Sequence, residues 1–311
     1  MHSFKNYLQE RGNAKATIEH YQRVLLDFIT YLDQDGTETE NATAKEVLAY
    51  QNKLIQRGYQ NKTRNTALSV VKKYFNYQIE IGERTENPVQ HLTIRGGKKQ
   101  KLYPILERHQ LDQIHHNYKT LKPNDKNKNR AWFKVSKLAR ERNKVILSLM
   151  IHQALTTAEI DRLQAKDLKL KEGKIYIAGT RKSNERTLEL KSHQMMELMN
   201  YQCKTRVELL KYCKEETGNL FISTPPLGQG YNRRTDTKEI WKLLTKEIKA
   251  ENKDFINFKQ VRTSIITHWL KQYNLRKVQY MAGHRYVSST ERYLINNNED
   301  LQEDIDQFHP F

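Results

Sequence analysis

Between Ile18 and Leu32 the apolar residues Ile18, Tyr21, Leu25, Phe28 and Leu32 fall at intervals of 3, 4, 3 and 4. An α-helix returns to the same face at those intervals, whereas a strand would scatter the same residues over both of its sides. The rhythm recurs in Leu68, Val71, Phe75 and Ile79. Helical patterns cover 4–11, 16–32, 44–56 and 62–81, and Gly12, Gly58 and Gly82 stand just past three of them, where a helix commonly ends. Asn87-Pro88 closes the segment. A helix with one apolar stripe must bury it against another element, so residues 1–92 predict a small all-helical unit.

From residue 140 the pattern changes. Residues 145–155 read as a buried helix, and 157–163 continue into a second with Glu159 in its first turns. Residues 174–178 then alternate as a strand, 179–185 turn, and 186–190 pair back, which predicts a β-hairpin in an otherwise helical stretch. Amphipathic patterns at 195–213 and 238–250 are assigned to packing. At 311 residues the chain exceeds the usual single domain. The expected fold is mainly α with a small β-hairpin or sheet: a helical domain over 1–94, a linker over 95–104 and a second domain over 105–311.

Charge narrows the partners. Lys and Arg number 54 against 36 Asp and Glu, a formal +18 that suits a polyanion. Residues 95–144 carry fifteen of the cations against four carboxylates, a net +11. Within this belt Arg95-Gly96-Gly97-Lys98-Lys99-Gln100-Lys101 joins flexible glycines to cations, as a linker able to lie along a nucleic-acid backbone would. Cys203 and Cys213 are the only cysteines, in no CxxC spacing, and read as apolar fillers in a reducing compartment. No apolar run approaches 18 residues and no signal-peptide pattern opens the chain, so neither insertion into a membrane nor secretion is expected.

Chemistry concentrates near the C-terminus. Lys259 and Arg262 are three apart at the start of a helical run carrying Val261, Ile265, Ile266, Trp269 and Leu270, so they share a face. A short helix over 275–282 is stopped by Gly283, leaving His284 on a turn. Ser288 and Glu291 have capping-box spacing, which predicts a new helix carrying Tyr293, nine residues after His284. A tyrosine attacking a phosphodiester needs charge on the equatorial oxygens stabilised, and pre-aimed Arg, Lys and His donors do this without a metal or nucleotide.

This order and spacing resemble the tyrosine recombinase (phage integrase) family, whose box reads His/Lys-x-x-Arg, then Gly-His, then the nucleophilic Tyr. The resemblance implies a helical core-binding (SAM-like) DNA-binding domain followed by a catalytic domain with a C-terminal tail. It implies cleavage and rejoining of DNA through a 3′-phosphotyrosyl intermediate, with no cofactor and in the service of a mobile element. Tyr293 is then the nucleophile, and Arg262, His284 and Lys259 serve the phosphate. Lys182 on the hairpin turn is the general acid, with Arg181 its rival, and Glu159 is a support. Arg64, Lys72 and Lys73, with Lys98, Lys99 and Lys101 of the linker, are expected on DNA phosphates. The partners implied are double-stranded DNA, a homotetramer on paired sites, and accessory DNA-bending or directionality proteins; the location is the cytoplasm, on the nucleoid. In the tail, Leu301, Ile305 and Phe308 form an apolar edge expected to dock on a neighbouring protomer.

One position departs from the family. The usual Gly-Leu-Arg-x-x-Glu-Leu stands here as Ala154-Leu155-Thr156-Thr157-Ala158-Glu159-Ile160, so Thr156 replaces the first catalytic arginine. A threonine supplies neither the charge nor the bidentate fork. Arg142 is the expected substitute, ahead of Lys144 and Arg162. Two other readings stay open: a DNA-binding member with impaired chemistry, and a type IB topoisomerase.

Overall fold

The computed structural model describes residues 3–96, 102–120, 131–213, 217–223 and 237–294, without the side chains of 131–132 and 237–239. The chain divides into two compact units, Met1–Lys101 and Leu102–Phe311.

The first unit holds α1 (Phe4–Glu10), α2 (Lys15–Gln34), α3 (Ala44–Gln56) and α4 (Asn61–Glu80). Ile18, Leu25, Phe28 and Leu32 of the α2 stripe are buried against Leu68, Val71 and Phe75 of α4, while Tyr21 and Ile79 lie half-buried at the edges. Phe28 sits at the centre, its ring centroid 5.1 Å from Tyr50 and 6.2 Å from Phe75. Each such side chain removed from water contributes about 1.5–3 kcal/mol. Helix α3 starts where it does because Thr43 and Glu46 form a reciprocal capping box, satisfying N–H groups that the first turn leaves unpaired. Arg84 donates to the carbonyls of Thr39, Glu40 and Ala42 and so ties the α2–α3 loop to the end of α4.

The second unit has α5 (Arg108–Asn117), α6 (Ala131–Gln153), α7 (Thr157–Ile160), β1 (Leu168–Lys169), β2 (Lys174–Ile177), β3 (Arg186–Glu189), α8 (Ser192–Asn200), α9 (Arg206–Leu210), α10 (Thr237–Glu251), α11 (Phe258–Gln272), α12 (Leu275–Ala282) and α13 (Val287–Glu291). Helices α6 and α11 cross the core, and the 102–107 segment is pinned to α11 by Leu106 N–H donating to Ser264 Oγ (2.8 Å) and by Gln260 donating to the Pro104 carbonyl (3.1 Å). The sheet is antiparallel in the order β1-β2-β3, with Leu168 opposite Ile175, Ile175 opposite Leu188, and Ile177 opposite Arg186. Its covered face carries Leu168, Ile175, Ile177, Leu188 and also Arg186.

The architecture is therefore mainly helical with a small antiparallel sheet, as expected, but several boundaries differ. Helix α6 reaches back to Ala131, where the sequence pattern places a helix only from 145. Its polar half is held by partners distant in sequence: Arg140 Nη2 meets Glu247 at 3.0 Å, and Arg142 donates to the Ile222 carbonyl at 2.6 Å. The 157–163 helix shortens to the four residues of α7, and β1 adds a two-residue strand beside the hairpin. A π turn at Tyr201–Thr205 interrupts the 195–213 helix, and Cys203 within it is exposed rather than packed. Among the described residues no helix is long and apolar enough to cross a membrane.

Candidate active site

The β2–β3 turn and the loop after α12 are joined. Gly283 caps α12 in the left-handed region (φ 69°), which an L side chain rarely adopts, and its carbonyl accepts from Asn184 N–H at 3.1 Å. Ser183 forms a bridge with His284. Thr180 pairs with Ser183 across the turn, and Lys182 stands exposed between them.

Around that junction four side chains gather. His284 stacks on Tyr293, with ring centroids 5.7 Å apart and planes inclined by 11°. Its Nδ1 lies 2.9 Å from Thr290 Oγ1 and its Nε2 lies 3.4 Å from Arg262 Nη2. A guanidinium only donates, so Nε2 accepts and Nδ1 carries the proton given to Thr290. Burial, reinforced by the charges of Arg262 and Arg186, pushes the imidazole down to about 4, so His284 is neutral at pH 7. Arg262 also donates to the carbonyls of Ala154 and, at 2.7 Å, Ala282, linking the end of α6 to the end of α12. Burial lowers its guanidinium from the ordinary value, against the pull of Glu159 and of the Tyr293 phenol.

Glu159 anchors the floor. Its Oε1 accepts from Arg186 Nη1 at 2.7 Å, and its Oε2 lies 3.9 Å from Arg262 Nη1. Burial alone would raise this carboxyl, but the Arg186 bond and the charges of Arg186 and Arg262 hold it below the usual value. Thr156 is the N-cap of α7, and both its N–H and its hydroxyl donate to Glu159 Oε2 at 2.9 Å. The one donor that replaces the usual arginine is therefore committed to a neighbour. Ala154, with φ 51°, holds the left-handed turn that the family pattern gives to glycine.

Sequence reasoning missed Arg186. Its side chain has no exposure, its Nε and Nη2 are buried without a hydrogen-bond partner, and a Cβ on Gly283 would lie 2.2 Å from its Nη1. Leaving a buried donor unmet costs about 1–3 kcal/mol, and more when the group is charged. The signal was present in the strand alternation, which puts Arg186 on the same side as Leu188, toward the core.

Other expected residues lie elsewhere. Arg142 is corrected: it is buried among α6, Ile222 and Asn143, with donors to the Ile222 carbonyl and to Asn143 Oδ1 at 2.8 and 3.1 Å, and burial lowers it to about 10. It is a core group and does not join the Arg262 and His284 set. Lys144 pairs with Glu197 at 3.6 Å, and Arg162 is exposed. Lys259 is exposed on the first turn of α11, above the half-buried Arg262. The α13 helix begins at Val287 with Tyr286 as N-cap rather than at Ser288, because no Ser288–Glu291 box forms, and Tyr293 follows its end instead of lying within it. In the first unit Arg64 donates to Asn61 at 3.1 Å, Lys72 to the Gln90 carbonyl at 2.8 Å, and the Lys73 ammonium lies 5.6 Å from the Tyr21 ring centroid. Lys98, Lys99, Lys101 and the tail with Leu301, Ile305 and Phe308 lie outside the described residues.

Residues 104–300 match the model of the phage integrase family, and residues 1–82 match that of the phage integrase N-terminal SAM-like domain. The tyrosine recombinase XerA of Pyrococcus furiosus is 22% identical over 311 residues, covering 99% of this chain and 93% of its own. XerC of Vibrio cholerae is 27% identical over 314 residues, covering 99% and 91%. Among solved structures, a lambda integrase tetramer bound to a Holliday junction superposes with a TM-score of 0.61 at 16% identity, covering 93% of this chain and 74% of that one. The Tn1549 transposon integrase in complex with a circular intermediate DNA gives 0.60 at 14%, covering 93% of each. These two likenesses are of fold.

Proposed function

The chain belongs to the phage integrase family of tyrosine recombinases, enzymes that cut and rejoin DNA strands, and from that premise we propose how its own residues carry the reaction. Tyr293 Oη attacks the scissile phosphorus while the bond from phosphorus to O5′ breaks, leaving a 3′-phosphotyrosyl link and a free 5′-hydroxyl. The phenol proton passes to His284, which enters the step neutral with Nε2 as an acceptor and gains basicity once a phosphodiester lies beside it. Lys182 protonates the departing O5′ from the exposed turn, and Lys259 and Arg262 stabilise the charge that builds on the equatorial oxygens. Glu159 contacts no substrate; it fixes the guanidinium groups. Attack by a 5′-hydroxyl of another strand reverses the step and exchanges partners. Double-stranded DNA is the substrate, held by a tetramer on paired sites and serving a mobile element.

The observation that carries this reading is the stack of His284 on Tyr293 with Arg262 at hydrogen-bond range of the same imidazole. The test starts by selecting a binding site from a random duplex pool with Tyr293→Phe protein. A nicked duplex of that site then traps the covalent adduct made by the wild type. Tyr293→Phe is expected to bind equally and form no adduct; undiminished adduct in that variant transfers the role to another tyrosine, Tyr286 first.

A further inference from the structure

From the same reading of the reaction we infer that Arg186 is a catalytic residue, the guanidinium that meets the scissile phosphate in place of the arginine missing at Thr156. Arg186 reaches the site from β3, a different element from the one that bears Thr156, yet its Nη1 closes on Oε1 of the same Glu159 whose Oε2 holds Thr156 and lies 3.9 Å from Arg262. The carboxylate thus sets two guanidinium groups side by side. Arg262 commits part of its donor set to the carbonyls of Ala154 and Ala282 and to His284. In Arg186 Nε and Nη2 are unpartnered, and these two N–H groups form one edge of the planar fork that matches two oxygens of a phosphate.

The guanidinium lies under the Gly283 turn. Gly283 has no side chain, and a Cβ there would fall 2.2 Å from Nη1, 2.8 Å from Cζ and 3.2 Å from Nε, so the backbone of the turn bearing His284 packs directly on the guanidinium. That turn is tied to the hairpin tip through Asn184 and Ser183, the segment that also carries Lys182. A phosphate entering between Arg262 and Lys182 displaces this loop edge and takes the unmet donors. Closure of the site and docking of the general acid become one movement.

The experiment compares strand cleavage, read as release of the 5′-hydroxyl strand at matched DNA occupancy, for wild type, Arg186→Gln, Arg186→Lys and Thr156→Arg/Arg186→Gln. Each protein is given a nicked duplex of the selected site, first with an ordinary scissile phosphodiester and then with a methylphosphonate in its place. Loss of one such donor is expected to slow cleavage about 10²-fold to 10³-fold on the phosphodiester. The methylphosphonate lacks the charge that the guanidinium meets, so there the deficit shrinks to under about tenfold, and Thr156→Arg restores at least about tenfold on the phosphodiester. Arg186→Lys keeps a charge without the fork and falls between. Should Arg186→Gln unfold, Glu159→Gln/Arg186→Gln removes both members of the buried pair and is compared with Glu159→Gln alone. A deficit of equal size on both substrates, or no deficit, overturns the inference and leaves Arg186 a structural partner of Glu159. A wild type that cleaves neither duplex overturns the functional reading, and this assignment with it.

Discussion

His284 and His152 share a property that reaches beyond chemistry. Burial, with neighbouring cations and histidines, brings each imidazole down to about 4 from an ordinary 6.5. The unfolded chain therefore takes up protons below pH 6.5 while the folded chain does not, so stability is complete above 6.5 and falls as pH drops toward 4. Glu159 acts lower on the scale: its depressed carboxyl contributes stability above the ordinary value of 4.5, and that is lost as pH falls through the folded value. Urea unfolding of the second unit at pH 7.0 and 5.0 is expected to show a loss on the order of 1–3 kcal/mol, and His152→Gln should reduce the difference to the share that His284 contributes. At this scale the sequence was informative about types and silent about commitments. Spacing alone brought out Lys259, Arg262, His284 and Tyr293 as a set. That Thr156 spends its hydroxyl on Glu159, or that Arg142 is absorbed by the Ile222 carbonyl, depends on the folded arrangement, in the second case across 80 residues, and no local pattern encodes it.

At the level of elements, the apolar stripes announced α2 and α4 because burial there follows the 3.6-residue period, with Tyr21 and Ile79 half-buried at the edges. Phe28→Ala at the centre of that packing should cost about 3–5 kcal/mol of the first unit's stability, read from its urea midpoint. Thr43→Ala, which removes the α3 capping box, should cost about 1 kcal/mol by the same measurement. Where the period was broken by charge, the legible helix stopped early: the polar half of α6 is helical through Arg140–Glu247 and Arg142–Ile222, partners that lie far along the chain. The hairpin was legible from alternation and a turn, yet its bond to the Gly283–His284 loop was not. Gly283→Ala tests that joint. It forces a left-handed residue and a Cβ toward Arg186, so it should destabilise by more than about 1 kcal/mol and slow cleavage.

Over the whole molecule, each unit has a hydrophobic core of its own, and residues 95–144 of the sequence, which run from the end of the first unit into the second, carry a net +11. Binding to duplex DNA should weaken steeply with salt, and removing one cation that neutralises a phosphate should reduce the log-log slope by about 0.9. Replacing Lys98, Lys99 and Lys101 together by glutamine tests the linker; an unchanged slope would mean that it does not touch the backbone. The buried carboxylate between two guanidinium groups has a further consequence at this scale. Glu159, Arg186 and Arg262 together carry one net positive charge, which a resting phosphodiester monoanion neutralises. The pentacoordinate species of attack holds a second negative charge, for which that trio has no counterion left. On the proposed mechanism that charge is met by the proton His284 takes from the phenol and by the exposed ammonium groups of Lys182 and Lys259, so replacing either lysine by glutamine should slow cleavage more than it weakens binding of uncut DNA.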